Sequence, residues 1–150
     1  MAFTTTTLTD DNFKVTVRAS GIGNETKNVL LDASELSGAT SKPNLSVAKI
    51  YYEILGTGNL TLFFNAETDE EIKVLSGRGT YGLIVNEPKL EQGLTGTTLV
   101  NPSGDILLST DSNVSSYNLV LEFIKEEGFT NGWFSINASF NRHNWCKILR

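Results

Sequence analysis

The sequence predicts an all-β chain, a single antiparallel β-sandwich or jelly-roll-like barrel of about eight strands. Three observations carry that prediction. Short segments alternate apolar and polar residues with a period of two. Turn-forming residues recur about every 8–12 positions, and no stretch keeps the 3.6-residue period of an amphipathic helix. At 150 residues the chain suits one domain, large enough to bury a core without staples.

The elements follow in order. Residues 1–10 are a Thr-rich arm with only Phe3 and Leu8 to bury, expected either as a frayed terminus or as a strand lent to a neighbour. Phe13 to Ala19 shows the cleanest alternation: Phe13, Val15, Val17 and Ala19 face inward, and Lys14, Thr16 and Arg18 face water. Ser20-Gly21-Ile22-Gly23-Asn24 breaks it. Thr26 to Asp32 is a second strand, ending in Val29-Leu30-Leu31. Asp32 to Leu36 reads as one helical turn, with Asp32 as cap and Glu35 three residues on. Ser37 to Asn44, with Gly38, Ser41 and Pro43, reads as a loop.

Val47 to Asn65 reads as a central hairpin. Ala48, Ile50, Tyr52 and Ile54 share one face, with Lys49, Tyr51 and Glu53 on the other; Leu60, Leu62 and Phe64 resume the alternation after Gly56-Thr57-Gly58. Ala66 to Glu71 carries Glu67, Asp69, Glu70 and Glu71 and reads as a solvated connection into a strand at Ile72–Leu75. Gly77-Arg78-Gly79 is a turn, and Tyr81 to Val85 is again strand. Asn86 to Gly104 is the longest irregular stretch, with Pro88, Gly93, Gly96, Pro102 and Gly104. Such length implies either an edge strand at Thr97–Val100 or a contact surface. Asp105–Ser109 and Tyr117–Ile124 are the last strands. In the latter Tyr117, Leu119, Leu121 and Phe123 share a face, while Val120 and Ile124 suggest cover on the other face as well.

Composition narrows the function. A net charge of −5 argues against a protein that holds nucleic acid by neutralising phosphates. No apolar run approaches the roughly 20 residues of a membrane span, and the opening MAFTTTTLTDD lacks the basic and apolar regions of a secretory signal. Asn-x-Ser/Thr triplets begin at Asn24, Asn44, Asn59, Asn113 and Asn137, as expected by chance in a chain this rich in those residues. Cys146 is the one cysteine and His143 the one histidine, so no intrachain disulfide forms and no zinc site of three or four His and Cys ligands exists.

Other chemical motifs read weakly. Gly77-x-Gly79-x-x-Gly82 has the spacing of a dinucleotide loop, but a strand rather than a helix follows it, so it reads as a glycine-rich hairpin. A Ser-His-Asp or Cys-His arrangement would have to use His143 in the polar tail. Carboxylates at Asp10-Asp11, Asp69-Glu70-Glu71 and Glu126-Glu127 could serve a hydrolase only if two converged across a cleft. Asp69 and Glu70 could also hold calcium, though without EF-hand spacing. No cofactor or metal is expected.

The termini draw attention as partner contacts. Residues 141–150 carry Arg142, Lys147 and Arg150 without an acid, leaving nine basic and 17 acidic residues, a net of −8, on the rest. A basic tail bearing Trp145 could dock on the acidic body of its own or a neighbouring subunit, or could be a disordered end. Trp133 and Phe134 read as core, interface or sugar-stacking residues. With Phe3 and Leu8 of the arm, the contact candidates are Trp133, Phe134, Arg142, Trp145, Lys147 and Arg150.

Between Val47 and Phe129 the order runs "LTLFFNAETDEEIKVLSGRGTYG", a Gly/Pro loop, then "GDILLSTDSNVSSYNLVLEFIKEEGF". In style and order this resembles small all-β structural proteins of tailed bacteriophages, of the kind that decorate or cement heads, over just over half the chain. The resemblance implies a non-enzymatic virion protein on the capsid surface, made in the host bacterial cytoplasm. Its expected partners are the major capsid protein, other virion proteins and copies of itself, a trimer among the arrangements. It transfers no site residues and does not account for the basic tail. A carbohydrate-binding or adhesion β-sandwich is the alternative reading.

Overall fold

The computed structural model describes residues 3–130. These form strands β1 (Thr4–Asp10), β2 (Lys14–Ile22), β3 (Asn28–Leu31), β4 (Leu45–Gly56), β5 (Leu60–Phe64), β6 (Glu70–Leu75), β7 (Arg78–Tyr81), β8 (Ile106–Thr110) and β9 (Val114–Lys125). One 3-10 turn, Ala33–Glu35, is capped by the Asp32 carboxylate accepting from Ser34 N, as the sequence leads one to expect. A five-stranded sheet, in order β1-β2-β9-β4-β7, faces a four-stranded sheet, β3-β8-β5-β6. Neighbouring strands pair antiparallel, and neither sheet closes. The described residues are an open β-sandwich.

Alternation gives the core directly in three strands. Val15, Val17 and Ala19 of β2 are buried, as are Leu60, Leu62 and Phe64 of β5 and Tyr117, Leu119, Leu121 and Phe123 of β9. Each large apolar side chain in this set contributes about 1.5–3 kcal/mol of gross burial energy. β9 lies between β2 and β4 in its sheet. Its other face is only half covered, since Val120 and Ile124 keep partial exposure. In β4 a bulge between Val47 and Lys49 adds one residue, so Leu45 and Val47 face inward together with Ile50 and Ile54. Ala48, expected inside, is therefore only half-buried, while Tyr52 keeps the inward face and packs against the core with part of its side chain exposed.

The central hairpin is the main correction. β4 and β5 belong to different sheets, and the chain crosses the sandwich at Gly56–Asn59. Thr57 N and Gly58 N both donate to Asn113 O, at 3.1 and 3.2 Å, so the crossing rests on the turn before β9. Gly56 has φ +103, and a Cβ on it would lie 2.3 Å from Asn113 O. Both strands face one core, so their alternation holds whichever partner each takes. The next connection also differs from the expectation. Only Gly77 turns; Arg78 and Gly79 are already in β7, which ends at Tyr81, and Leu83–Val85 are not strand. No strand forms at Thr97–Val100.

The Thr-rich arm is neither frayed nor lent away. Thr4 to Asp10 pairs with β2 from Ser20 to Val15, with an irregularity between Thr7 and Thr9. Its far end is held by Lys125, whose side chain is 0% exposed. Lys125 Nζ donates to Asp10 Oδ1 at 2.5 Å, Asp11 O at 2.6 Å and Ser37 O at 2.8 Å. It also stands 5.3 Å from the centre of the Phe129 ring. The three oxygens match the three donors of an ammonium group. The Asp11 carboxylate in turn accepts from Phe13 N and Lys14 N, which hold it below its ordinary value of 3.8.

Breaking a buried ion pair costs about 3–5 kcal/mol, and Asp10, at 24% side-chain exposure, can be partly rehydrated. Lys125→Ala is therefore expected to lower the urea-unfolding free energy by about 3 kcal/mol, and Lys125→Met by less because its stem still fills the site. A loss below about 1 kcal/mol for Lys125→Ala would show that the three oxygens do not depend on the ammonium.

Candidate contact surface

The stretch between β7 and β8 is irregular but fixed at many points. Tyr81 Oη donates to Pro88 O at 2.8 Å, and Leu90 and Val47 exchange backbone bonds of 2.8 and 2.9 Å. Glu67 N donates to Val100 O, and Ser103 N to Asn65 O. Two glutamates hold its turns. Glu87 Oε1 accepts from Gly82 N at 2.9 Å and Ile84 N at 3.1 Å, while Glu87 N donates to Ile84 O at 3.2 Å. Gly82 is required there: its φ is +89, and a Cβ would lie 1.9 Å from Ala48 O.

This locked turn presents Leu83, Ile84 and Val85 outward, at 46%, 68% and 83% exposure. Three consecutive exposed aliphatic residues make this turn a candidate contact site. The segment follows β7, the edge strand of the five-stranded sheet opposite β1.

The second clamp is Glu70, only 6% exposed. Its carboxylate accepts from Gly93 N at 2.8 Å, Thr95 N at 3.1 Å and Thr95 Oγ1 at 2.6 Å. Burial opposes its ionisation, but the bonds from Thr95 and Gly93 outweigh it and hold the carboxyl below its ordinary 4.5. The acids at 67–71 are thus not a uniformly solvated turn. Asp69 accepts from Ala66 N and pairs with Lys27 at 3.0 Å.

Beside these carboxylates lies a cavity of about 410 Å³, whose lining includes Thr68, Glu71, Thr98 and Leu99. An adjoining one of about 420 Å³ is lined in part by Asn44, Gln92, Thr97 and Pro102. Among the described residues no group of three His, Cys, Asp or Glu side chains could hold a metal ion. No helix of the described residues is long and apolar enough to cross a membrane.

The glycine motif at 77–82 serves packing. A Cβ on Gly79 would lie 2.6 Å from the Tyr52 hydroxyl, and β7 runs through the motif without opening a helix. Its flanking strands, β6 and β7, lie in different sheets, so it is not a hairpin either. Of the contact residues expected from sequence, Phe3 packs against the core and Leu8 is 51% exposed at the irregularity of β1. Trp133, Phe134, Arg142, Trp145, Lys147 and Arg150, together with His143 and Cys146, lie outside the described residues. In sequence Leu83–Val85 are not distinguishable as a candidate contact, because an apolar triplet after a glycine also reads as strand.

No protein-family model matches the chain, and no curated protein matches it. Among solved structures, Peruvianin-I, a cysteine peptidase from Thevetia peruviana latex, aligns with a TM-score of 0.40 and 8% identity. The alignment covers 85% of this chain but 64% of that one, under two thirds of its length. A likeness of that grade transfers neither fold nor chemistry.

Because Glu70 ionises more readily in the folded chain, its contribution is present above its ordinary 4.5 and is lost as pH falls through the lower folded value. Hydrogen exchange at the Gly93 and Thr95 amides, corrected for intrinsic rate, should show protection at neutral pH that fades below about pH 4.5. Glu70→Ala should remove at least about tenfold of it at neutral pH, the effect of losing one charged hydrogen bond, and should abolish its pH dependence. Protection in the native chain that persists unchanged at pH 2 would rule out the clamp.

Proposed function

We propose that the chain is a non-enzymatic virion structural protein of the capsid decoration or cement type. It stabilises a shell through protein–protein contact with the major capsid protein or other virion proteins. The observation that carries the reading is the Glu87-locked turn with Leu83, Ile84 and Val85 turned to solvent. A rigid apolar knob loses little conformational freedom on docking, so more of its burial appears as affinity. The Glu70 and Asp69 carboxylates beside the cavity are engaged by Thr95, Gly93, Ala66 and Lys27, which suits a scaffold. The order of features along the chain adds the virion context.

A second reading, a carbohydrate-binding module, draws on the amide and hydroxyl groups of Asn44, Gln92, Thr97 and Thr98 in one groove. Asn44 Oδ1 is buried there without a hydrogen-bond partner. A saturable tryptophan-fluorescence change on glycan titration would favour it over the shell reading.

Mass spectrometry of virions made by the genome that encodes the chain should find it in numbers comparable to the shell subunits; its absence would end the proposal. On shells stripped of the protein, Ile84→Asp should rebind about 30-fold more weakly, as expected for a hot-spot contact worth about 2 kcal/mol. Equal rebinding by native chain and variant would move the contact elsewhere.

A further inference from the structure

The outer edge of β1 ends the five-stranded sheet, and all seven of its residues are exposed. A strand that buries no side chain adds nothing to the core. It also leaves the sheet with as many open edges as it had before. Edge strands ordinarily carry Lys, Pro or inward charges that block pairing with another chain. From Phe3 to Thr9 this one has no charge, proline or glycine, although the chain as a whole carries −5.

We infer that a second copy of this chain adds its β1 antiparallel to the outer edge of the first, about a two-fold axis that sets Thr6 opposite Thr6. The segment Thr4-Thr5-Thr6-Thr7-Leu8 is self-complementary in that register. Thr6 meets Thr6 and Thr5 meets Thr7, pairs that share a face of the sheet and whose hydroxyls can bond across strands. At each end Leu8, 51% exposed, meets Thr4 of the second copy. Asp10, the first charge, falls outside the paired segment and is already held by Lys125. Thr5 and Thr7 line a groove of about 470 Å³ with Val17 and Leu30, so the inner face of β1 is open as well as its outer edge. The contact is isologous, closes at two copies, and joins two five-stranded sheets into one of ten strands. It goes beyond the shell reading and does not rest on it.

Sedimentation of the full chain over a concentration series should show the mass rise from 16.4 kDa to twice that value. A Thr5→Lys/Thr6→Lys double variant sets like charges opposite one another and should stay at one chain, with unchanged circular dichroism because both sites are exposed. A Thr5→Glu/Thr6→Glu variant should do the same alone, and an equimolar mixture of the two should recover the doubled mass. Hydrogen exchange supplies a check without variants: outward amides within Thr4–Thr7 should gain at least about tenfold protection as concentration rises. A native chain that stays at 16.4 kDa to millimolar concentration, or a larger mass that the lysine pair leaves unchanged, overturns the inference. The chain's absence from virions would sink the shell reading and leave these masses as they are.

Discussion

A fully buried ammonium cannot be left without partners, and that constraint organises one end of this sandwich. Lys125 closes β9, the strand between β2 and β4, and its Nζ takes oxygens from Asp10, Asp11 and Ser37. Satisfying it places the β1–β2 turn and the segment after the 3-10 turn against the end of β9. Asp10 reinforces the arrangement, since its other oxygen accepts from Ser37 N at 2.8 Å. The position of β1 thus depends on a charge buried on the far side of β2. The threonine strand keeps its place without any buried side chain of its own.

The same device recurs with the signs reversed. Carboxylates, abundant in this acidic chain, receive backbone N–H groups wherever it leaves regular structure. Asp111 accepts from Asn59 N and Asn113 N, both at 2.9 Å, and so ties the β4–β5 crossing to the turn before β9. Asp105 accepts from Ala33 N at 2.9 Å. Glu25 accepts from the Tyr117 hydroxyl at 2.8 Å in the interior, where burial and the neighbouring carboxylate push the phenol well up. The Tyr117 hydroxyl and the Ala33 amide would otherwise be left unpaired at buried or part-buried sites, while the Asp111 bonds fix an exposed turn. The negative charge that composition assigns to the surface is in good part a set of internal ties.

Those ties bear on function through rigidity. The two surfaces proposed for contact adjoin opposite edges of the five-stranded sheet, β1 at one and the turn after β7 at the other. Lys125 fixes the first and Glu87 the second. A subunit with one face for its own copy and another for a larger shell needs both held at constant separation, and a sheet supplies that. The long stretch from Asn86 to Gly104 reads as a contact loop in sequence, yet Glu70, Val47 and Asn65 pin it at several points.

The sequence by itself determined the class of fold, most of the strands and most of their inward residues. Side-chain direction alternates strictly along a strand, and burial of one face imposes that period on the residues. It also marked the Asp32 cap, because capping is local chemistry. Only the tertiary structure decided which strands pair. β4 and β5 have the pattern of a hairpin but sit in opposite sheets, since two sheets sharing a core make the same demand on either strand's inner face. It likewise decided the roles of Lys125, Glu70 and Glu87. A charged residue in sequence is indistinguishable from a solvated one until distant backbone donors and acceptors are brought to it, and the bonds here span from three to 115 positions.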